Sequence, residues 1–291
     1  MPLVSTAELV SAATAERRGI AAFNVITLEH AEAIAAGAEA AGAPAILQIS
    51  ENAVRFHGGR LSAIAAATAA VARSSGAPLA LHLDHVVSVE LLHAADGAGF
   101  GSVMFDASKL SYEENVRATA AAVAWGRERG IWIEAELGKV GGKEGEPPLD
   151  AHAPGVRTDP AEAAAYAAAT GVDALAVAVG SSHAMTERTA ALDHALIARL
   201  RTAVPVPLVL HGSSGVPDAE IRAAVAAGMV KINVGTALNT AFTGAVREFL
   251  TTAGPGVVDP RKYLTPAREA MSRTVAGFLG LLAPAPGPAA S

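Results

Sequence analysis

A single (β/α)8 barrel is the fold this sequence predicts, and three observations predict it. Eight short apolar runs compatible with strands alternate with longer alanine-rich segments of helical period, the pattern of repeated βα units. Polar residues gather at the C-terminal ends of those runs, which is where the active sites of such barrels stand. The length of 291 residues suits one barrel domain, for which about 250 residues is usual. We therefore expect an α/β barrel (TIM barrel) as a single domain over 1–282, followed by a disordered low-complexity tail over 283–291 that reads APAPGPAAS.

Taken in order, the first strand is expected at 21–25 with Asn24 near its end, and the helix at 28–41 stops before Gly42, as a C-cap would. A second strand at 45–50 ends on Ser50 and is followed by a Gly-rich loop carrying His57, then a helix at 64–74. The third strand, 79–84, delivers Asp84 and His85 ahead of a helix at 88–98. The fourth, 102–106, ends on Asp106 before a helix at 111–129. Strand five, 132–137, carries Glu136 and leads into 140–158, a long segment rich in Gly, Pro and charge. Long loops at that face tend to act as lids. A helix at 160–170, strand six at 174–180, a helix at 192–204, strand seven at 207–212, a helix at 217–227, strand eight at 229–235 and a helix at 236–250 complete the alternation. His30, His93 and His194 fall inside helices and are read as packing or surface residues.

Composition narrows the chemistry. Half of the chain is hydrophobic but only 4% is aromatic, which suits close packing of small side chains between helices and strands. No uninterrupted apolar run reaches the roughly eighteen residues of a membrane span, and the N-terminal stretch lacks the pattern of a signal peptide. A soluble, cytoplasmic protein is expected. Cysteine is absent, which excludes disulfides, thiolate nucleophiles and Cys-ligated zinc and leaves His, Asp and Glu as metal ligands. A formal charge of -6 with scattered basic residues offers no footprint for nucleic acid or an anionic membrane. Small phosphates stay within reach, because backbone amides bind them without net positive charge.

Three apolar strands each end on a histidine: the run into Asp84-His85, the run Val177-Ala178-Val179-Gly180-Ser181-Ser182-His183, and the run Leu208-Val209-Leu210-His211-Gly212. A barrel brings strands three, six and seven around one mouth, so three imidazoles would match a catalytic zinc that keeps an open position. The alternative is a set of core histidines hydrogen-bonded to backbone. Asp106 and Glu136 would supply oxygens for a second or alternative metal position. The turns His211-Gly212-Ser213-Ser214-Gly215 and Asn233-Val234-Gly235-Thr236 follow strands seven and eight, the recurrent phosphate site of this fold. A phosphorylated substrate is expected there.

Together with Val103-Met104-Phe105-Asp106, Glu134-Ala135-Glu136-Leu137-Gly138, Gly141-Gly142-Lys143-Glu144 and Lys231-Ile232-Asn233-Val234, these stretches resemble the class II, zinc-dependent ketose-bisphosphate aldolases, a group including fructose- and tagatose-bisphosphate aldolases. The resemblance runs from about Leu3 to Phe278 with the motifs in family order. It implies that His85, His183 and His211 bind Zn2+, with Asp106 and Glu136 at a second divalent site and a monovalent cation, Na+ or K+, near the phosphate. By the same resemblance Asp84 exchanges a proton with the oxygen on carbon four of the ketose, and Glu144 removes one from carbon one of dihydroxyacetone phosphate. Gly180, Gly212, Ser213, Ser214, Asn233, Val234, Gly235 and Thr236 match the dihydroxyacetone-phosphate pocket, Ser50 matches a contact to the aldehyde half, and Asn24, at the end of strand one, is a further candidate for binding substrate. Arg261 and Arg268 are the candidates for the distal phosphate. The implied activity is reversible cleavage of a ketose 1,6-bisphosphate in glycolysis or related carbohydrate metabolism, by a homodimer or homotetramer.

The sequence departs from the family after Glu144, where many relatives have another acidic residue, and at Gly235, a variable position among members with different sugar preferences. Fructose, tagatose and deoxy-keto-gluconate phosphate substrates all stay open. Two other readings compete. A Schiff-base aldolase would use Lys231, which shares strand parity with Asn233, and a sugar-phosphate-binding subunit would have lost turnover.

Overall fold

The computed structural model describes residues 3–138, 140 and 157–283. Eight parallel strands close into one barrel in sequence order: β1 (Ile20–Asn24), β2 (Ala45–Ser50), β3 (Leu79–Val86), β4 (Ser102–Phe105), β5 (Trp132–Leu137), β6 (Ala174–Val177), β7 (Leu208–Leu210) and β8 (Met229–Val234). Closure is direct, with Ile20 of β1 in register with Lys231 of β8. Strands six and seven stop earlier than expected. Their last predicted residues turn out of the sheet to form the mouth.

The pleat divides the wall into two faces. Outward residues such as Phe23, Leu47, Leu83, Ile133, Leu175 and Ile232 join one large apolar core with the surrounding helices. Inward residues Ile20, Ala22, Ile46 and Ala80 form a second cluster, closed from below by Leu9, Val10 and Ala13. Those three come from α1 (Thr6–Ala15), which is set by a capping box between Ser5 and Glu8. Above this apolar floor the inward positions become polar.

The outer helices follow the expected alternation: α2 (Leu28–Ala41), α3 (Glu51–Phe56), α4 (Leu61–Ser74), α5 (Val89–Gly97), α6 (Tyr112–Arg127), α7 (Pro160–Thr170), α8 (His194–Ala203), α9 (Asp218–Ala227), α10 (Thr236–Ala253) and α11 (Pro260–Leu282). Helices α1, α3 and α11 were not expected. At six residues α3 is too short to show a period, and Pro266 inside α11 reads locally as a breaker. Tertiary burial overrides it. Ala267, Met271, Val275, Phe278, Leu279 and Leu282 are buried at spacings of three and four, the stripe that drives an amphipathic helix onto a core. The seat for α11 is Gly37 of α2, where an added Cβ would lie 2.7 Å from the Ser272 carbonyl oxygen and the Val275 side chain. The helix ends at Leu282, and the expected tail falls outside the described residues from 284 onward. No helix among the described residues is long and apolar enough to cross a membrane.

Candidate active site

Strand alternation alone would separate Asp84 from His85, because adjacent residues point to opposite faces. The backbone of β3 prevents this. Its pairing with β4 shifts register between Leu83 and Val86, and His85 adopts φ 49, a left-handed conformation uncommon outside glycine. The resulting bulge re-aims His85, so that both residues border one cavity of about 500 Å³ at the barrel mouth. Such backbone strain costs on the order of 1–3 kcal/mol and concentrates at functional sites.

His183 and His211 arrive from the exits of β6 and β7. A Cβ at Gly212, which has φ 67, would sit 2.5 Å from the Ser182 carbonyl oxygen, so glycine is what lets the two exits approach. The His85 ring centroid lies 5.1 Å from His183 and 4.8 Å from His211, and those two are 5.7 Å apart. With Glu136, they offer four ligand atoms that all fall within 4.8 Å of one another.

The surroundings select the ring nitrogens. Asp106 Oδ2 lies 2.9 Å from His85 Nδ1, and Glu134 Oε1 lies 3.0 Å from His211 Nε2. Each carboxylate accepts a ring N–H, which leaves His85 Nε2 and His211 Nδ1 as the atoms that could coordinate an ion, an arrangement that orients imidazoles toward a metal. His211 Nδ1 faces Glu136 Oε2 at 3.2 Å. Burial disfavours charge on His211, but its hydrogen bonds to Glu134 and Glu136 outweigh that and raise it to about 9. Two carboxylates converging on one buried imidazole call for a positive centre. The nitrogen and oxygen donor set therefore fits a zinc-type ion.

Below this cluster, Lys231 Nζ lies 2.9 Å from Glu134 Oε2 and donates to Asn233 Oδ1 at 2.7 Å. Burial opposes the charge on Glu134, yet the ammonium of Lys231 and the His211 hydrogen bond hold its carboxyl far below the ordinary range. Lys231 is fully buried and does not border the cavity. An amine committed in this way is poorly placed to form an imine with substrate.

Among the residues expected to bind substrate, Asn24, Ser50, Gly212, Ser214, Asn233, Gly235 and Thr236 border the cavity. Ser214 Oγ accepts from the Ala237 N–H at 3.0 Å and ties the β7 exit to the first turn of α10. Gly180, Ser213 and Val234 do not border it. Val234 points into the outer core, Ser213 Oγ donates to the Leu210 carbonyl at 3.1 Å, and Gly180 packs beside the Ala191 carbonyl.

Three of the expected residues lie apart from the cluster or the cavity. Asp106 is not one of the four clustered residues; its Oδ2 holds His85 and its Oδ1 accepts from Ser108 N and Oγ at 3.1 and 2.5 Å. It orients His85. Arg261 and Arg268 do not border the cavity. Arg261 is 88% exposed and pairs with Asp259 at 2.8 Å, and Arg268 pairs with Glu32 of α2 at 2.5 Å. Both belong to α11, whose docking outside the barrel wall no local pattern reveals. Among the described residues the cations bordering the cavity are Arg55 and Lys109. Glu51 Oε2 accepts from Val87 N at 2.7 Å while Oε1 accepts from Arg55 at 2.7 Å, which steadies the guanidinium at the rim. The missed signal was a Glu-Arg pair at i, i+4 directly after a strand end. Glu144 and the expected lid over 141–156 lie outside the described residues.

Four other described histidines stand apart from the cluster. His30 stacks on Phe242 and His93 on Trp125, His57 Nε2 donates to the Ile26 carbonyl at 2.7 Å, and His194 pairs with Glu220 at 2.9 Å.

The family model described as class-II fructose-bisphosphate aldolase matches residues 4–285. The fructose-bisphosphate aldolase of Geobacillus stearothermophilus is 41% identical over 279 residues, covering 95% of this chain and 96% of that protein. That of Thermus caldophilus is 39% identical over 296 residues, covering 94% of this chain and 95% of that protein. Among solved structures, the YdjI aldolase from Escherichia coli K12 superposes with a TM-score of 0.82 at 32% identity, covering 97% of this chain and 98% of the other.

Proposed function

The chain belongs to the class-II fructose-bisphosphate aldolase family, and on that premise we propose that it reversibly cleaves a ketose 1,6-bisphosphate into dihydroxyacetone phosphate and glyceraldehyde 3-phosphate with the help of zinc. The observation that carries the reading is Asp84 standing beside His85 at the mouth, where His183, His211 and Glu136 converge. His85, His183 and His211 hold the ion, Glu136 offers an oxygen to the same centre, and Asp106 and Glu134 keep the imidazoles in place. When bound, zinc supplies Lewis-acid polarisation of the substrate carbonyl.

Asp84 takes the proton from the hydroxyl on carbon four as the bond between carbons three and four breaks. The electron pair stays on carbon three, and Glu144 delivers a proton there. In synthesis the two carboxyl groups reverse these roles. Gly212, Ser214, Asn233, Gly235 and Thr236 seat the phosphate of the dihydroxyacetone half, where backbone amides serve an anion well. Asn24 and Ser50 border the aldehyde half. Arg55 and Lys109 take the distal phosphate in place of Arg261 and Arg268. The proposal includes a cytoplasmic homodimer or homotetramer, which light scattering of the purified protein would test.

The deciding experiment is a coupled assay for dihydroxyacetone phosphate release from fructose 1,6-bisphosphate and tagatose 1,6-bisphosphate. It is run before chelation, after chelation with EDTA and after zinc is returned. We expect cleavage to disappear on chelation and return with zinc, and the ratio of efficiencies to define the sugar preference. Cleavage that survives exhaustive chelation would overturn the three-histidine metal reading.

A further inference from the structure

Asp84 borders the cavity, yet its Oδ1 is turned into the barrel, where it has no hydrogen-bond partner among the described residues. The same is true of His82 Nε2, and the two atoms face each other at 4.0 Å. A buried polar atom left unmet is destabilising. The separation is too long for a direct hydrogen bond, but it is a span that one bridging water closes. Glu134 Oε2, at 3.9 Å from His82 Nε2, also lacks a hydrogen bond among the described residues, with the Lys231 ammonium 2.9 Å away as its ion-pair partner. Of the two carboxylates it is Asp84 that borders the cavity.

The imidazole is held from the opposite side. His82 Nδ1 lies 2.8 Å from Ser102 Oγ, which donates to the Leu81 carbonyl at 3.3 Å and lies 2.6 Å from Thr6 Oγ1. Thr6 belongs to α1, the helix that closes the barrel floor. His82, Ser102 and Thr6 are all fully buried, and the Trp132 ring packs against His82 with centroids 6.5 Å apart. With the Ser102 proton assigned to the Leu81 carbonyl, His82 donates through Nδ1 and Nε2 is an acceptor. Asp84 Oδ1 is an acceptor as well. Two acceptors at this separation suit the two protons of a single water. Burial and the nearby Lys231 ammonium hold His82 down to about 3, so the acceptor persists at neutral pH.

We propose that His82 is a positioning residue, anchored through Ser102 and Thr6 to the barrel floor, which fixes the Asp84 carboxylate through one buried water donating to His82 Nε2 and Asp84 Oδ1. The proposal rests on the aldolase reading of the site. It makes the proton transfer at carbon four depend on a side chain that never meets the substrate.

The test separates two reactions of the zinc-loaded enzyme: cleavage of the ketose bisphosphate, which uses Asp84, and exchange of the carbon-one hydrogen of dihydroxyacetone phosphate with deuterated water, which does not. In His82→Phe we expect kcat for cleavage to fall about 10–100-fold, the scale of a misplaced catalytic group, while KM, the zinc content and the exchange rate stay at wild-type values. His82→Gln, which keeps an acceptor on a shorter stem, should recover part of kcat. Should His82→Phe fail to fold, Ser102→Ala carries the test, because it loosens the anchor and should lower cleavage but not exchange. Wild-type cleavage in the folded variants, or cleavage and exchange falling together, or loss of zinc, would overturn the proposal. A wild-type protein that neither exchanges nor cleaves would instead overturn the aldolase reading, and the role of His82 with it.

Discussion

The outer and inner faces of the barrel wall are made by the same eight strands, yet they obey different rules. Outward side chains such as Leu47, Leu83, Ile133 and Leu175 are apolar, wholly buried and packed against helices. Their contributions are roughly proportional to area and largely independent of one another. Inward side chains in the upper half, Gln48, His82, Asp84, Glu134, Glu136, Lys231 and Asn233, are equally buried but polar or charged. Glu134, Glu136, Lys231 and Asn233 each have a named partner there, because a buried charge without one is far more costly than a missing methylene. The outer face is forgiving and carries stability. The inner face is a coupled system, and it carries the chemistry.

The largest break in that contrast should come from Glu134→Leu, which strands the Lys231 ammonium and removes the hydrogen bond to His211. Removal of one partner from a buried pair costs roughly 3–5 kcal/mol, so denaturant unfolding should show a loss of that size. Glu134→Leu with Lys231→Met should be less destabilised than the single change. A double variant that is less stable still would show that the two sites are not coupled.

Acid should distinguish the faces next. His82 has its pKa lowered from 6.5 to about 3 in the folded state, so below 6.5 the unfolded chain binds a proton that the folded chain refuses. Stability is unaffected above that value and falls as pH drops from 6.5 toward about 3, by about 1.4 kcal/mol per unit for one such group. His82→Phe should flatten this slope between pH 6.5 and 5, a window given by about one unit on each side of the usual histidine titration. An unchanged slope in the folded variant would remove His82 as its source. An outward substitution should leave the slope intact.

At the rim, Arg55→Ala combined with Lys109→Ala should lower kcat/KM for the bisphosphate about tenfold, the worth of one charge-assisted hydrogen bond. The efficiency for a ketose 1-phosphate should not change. Arg261→Ala should affect neither, since its guanidinium is exposed and paired with Asp259. Equal losses on both substrates would argue against a distal-phosphate role. The smallest effect should come from Ile133→Val on the outer face, at about 0.5–1.5 kcal/mol with cleavage unaltered. Lost activity there would show that the faces are less separate than their chemistry suggests.

The sequence alone was enough to read the alternation of strands and helices, the polar strand ends, and the candidates Asp84, His85, His183 and His211. These signals are local: a period, a boundary and a residue type can each be recognised within a few neighbours. What only the tertiary structure decided depends on partners far away in the chain. It turned His85 back into the mouth through a bulge against β4, engaged Asp106 as the partner of His85, and placed Arg268 against Glu32 outside the cavity. It also buried Lys231 against Glu134 and set His82 between the floor and Asp84. The physical reason is common to all of them. Residue type states what a side chain can bind, whereas closure of the barrel determines which partner lies within about 3 Å of it, the distance over which a hydrogen bond acts.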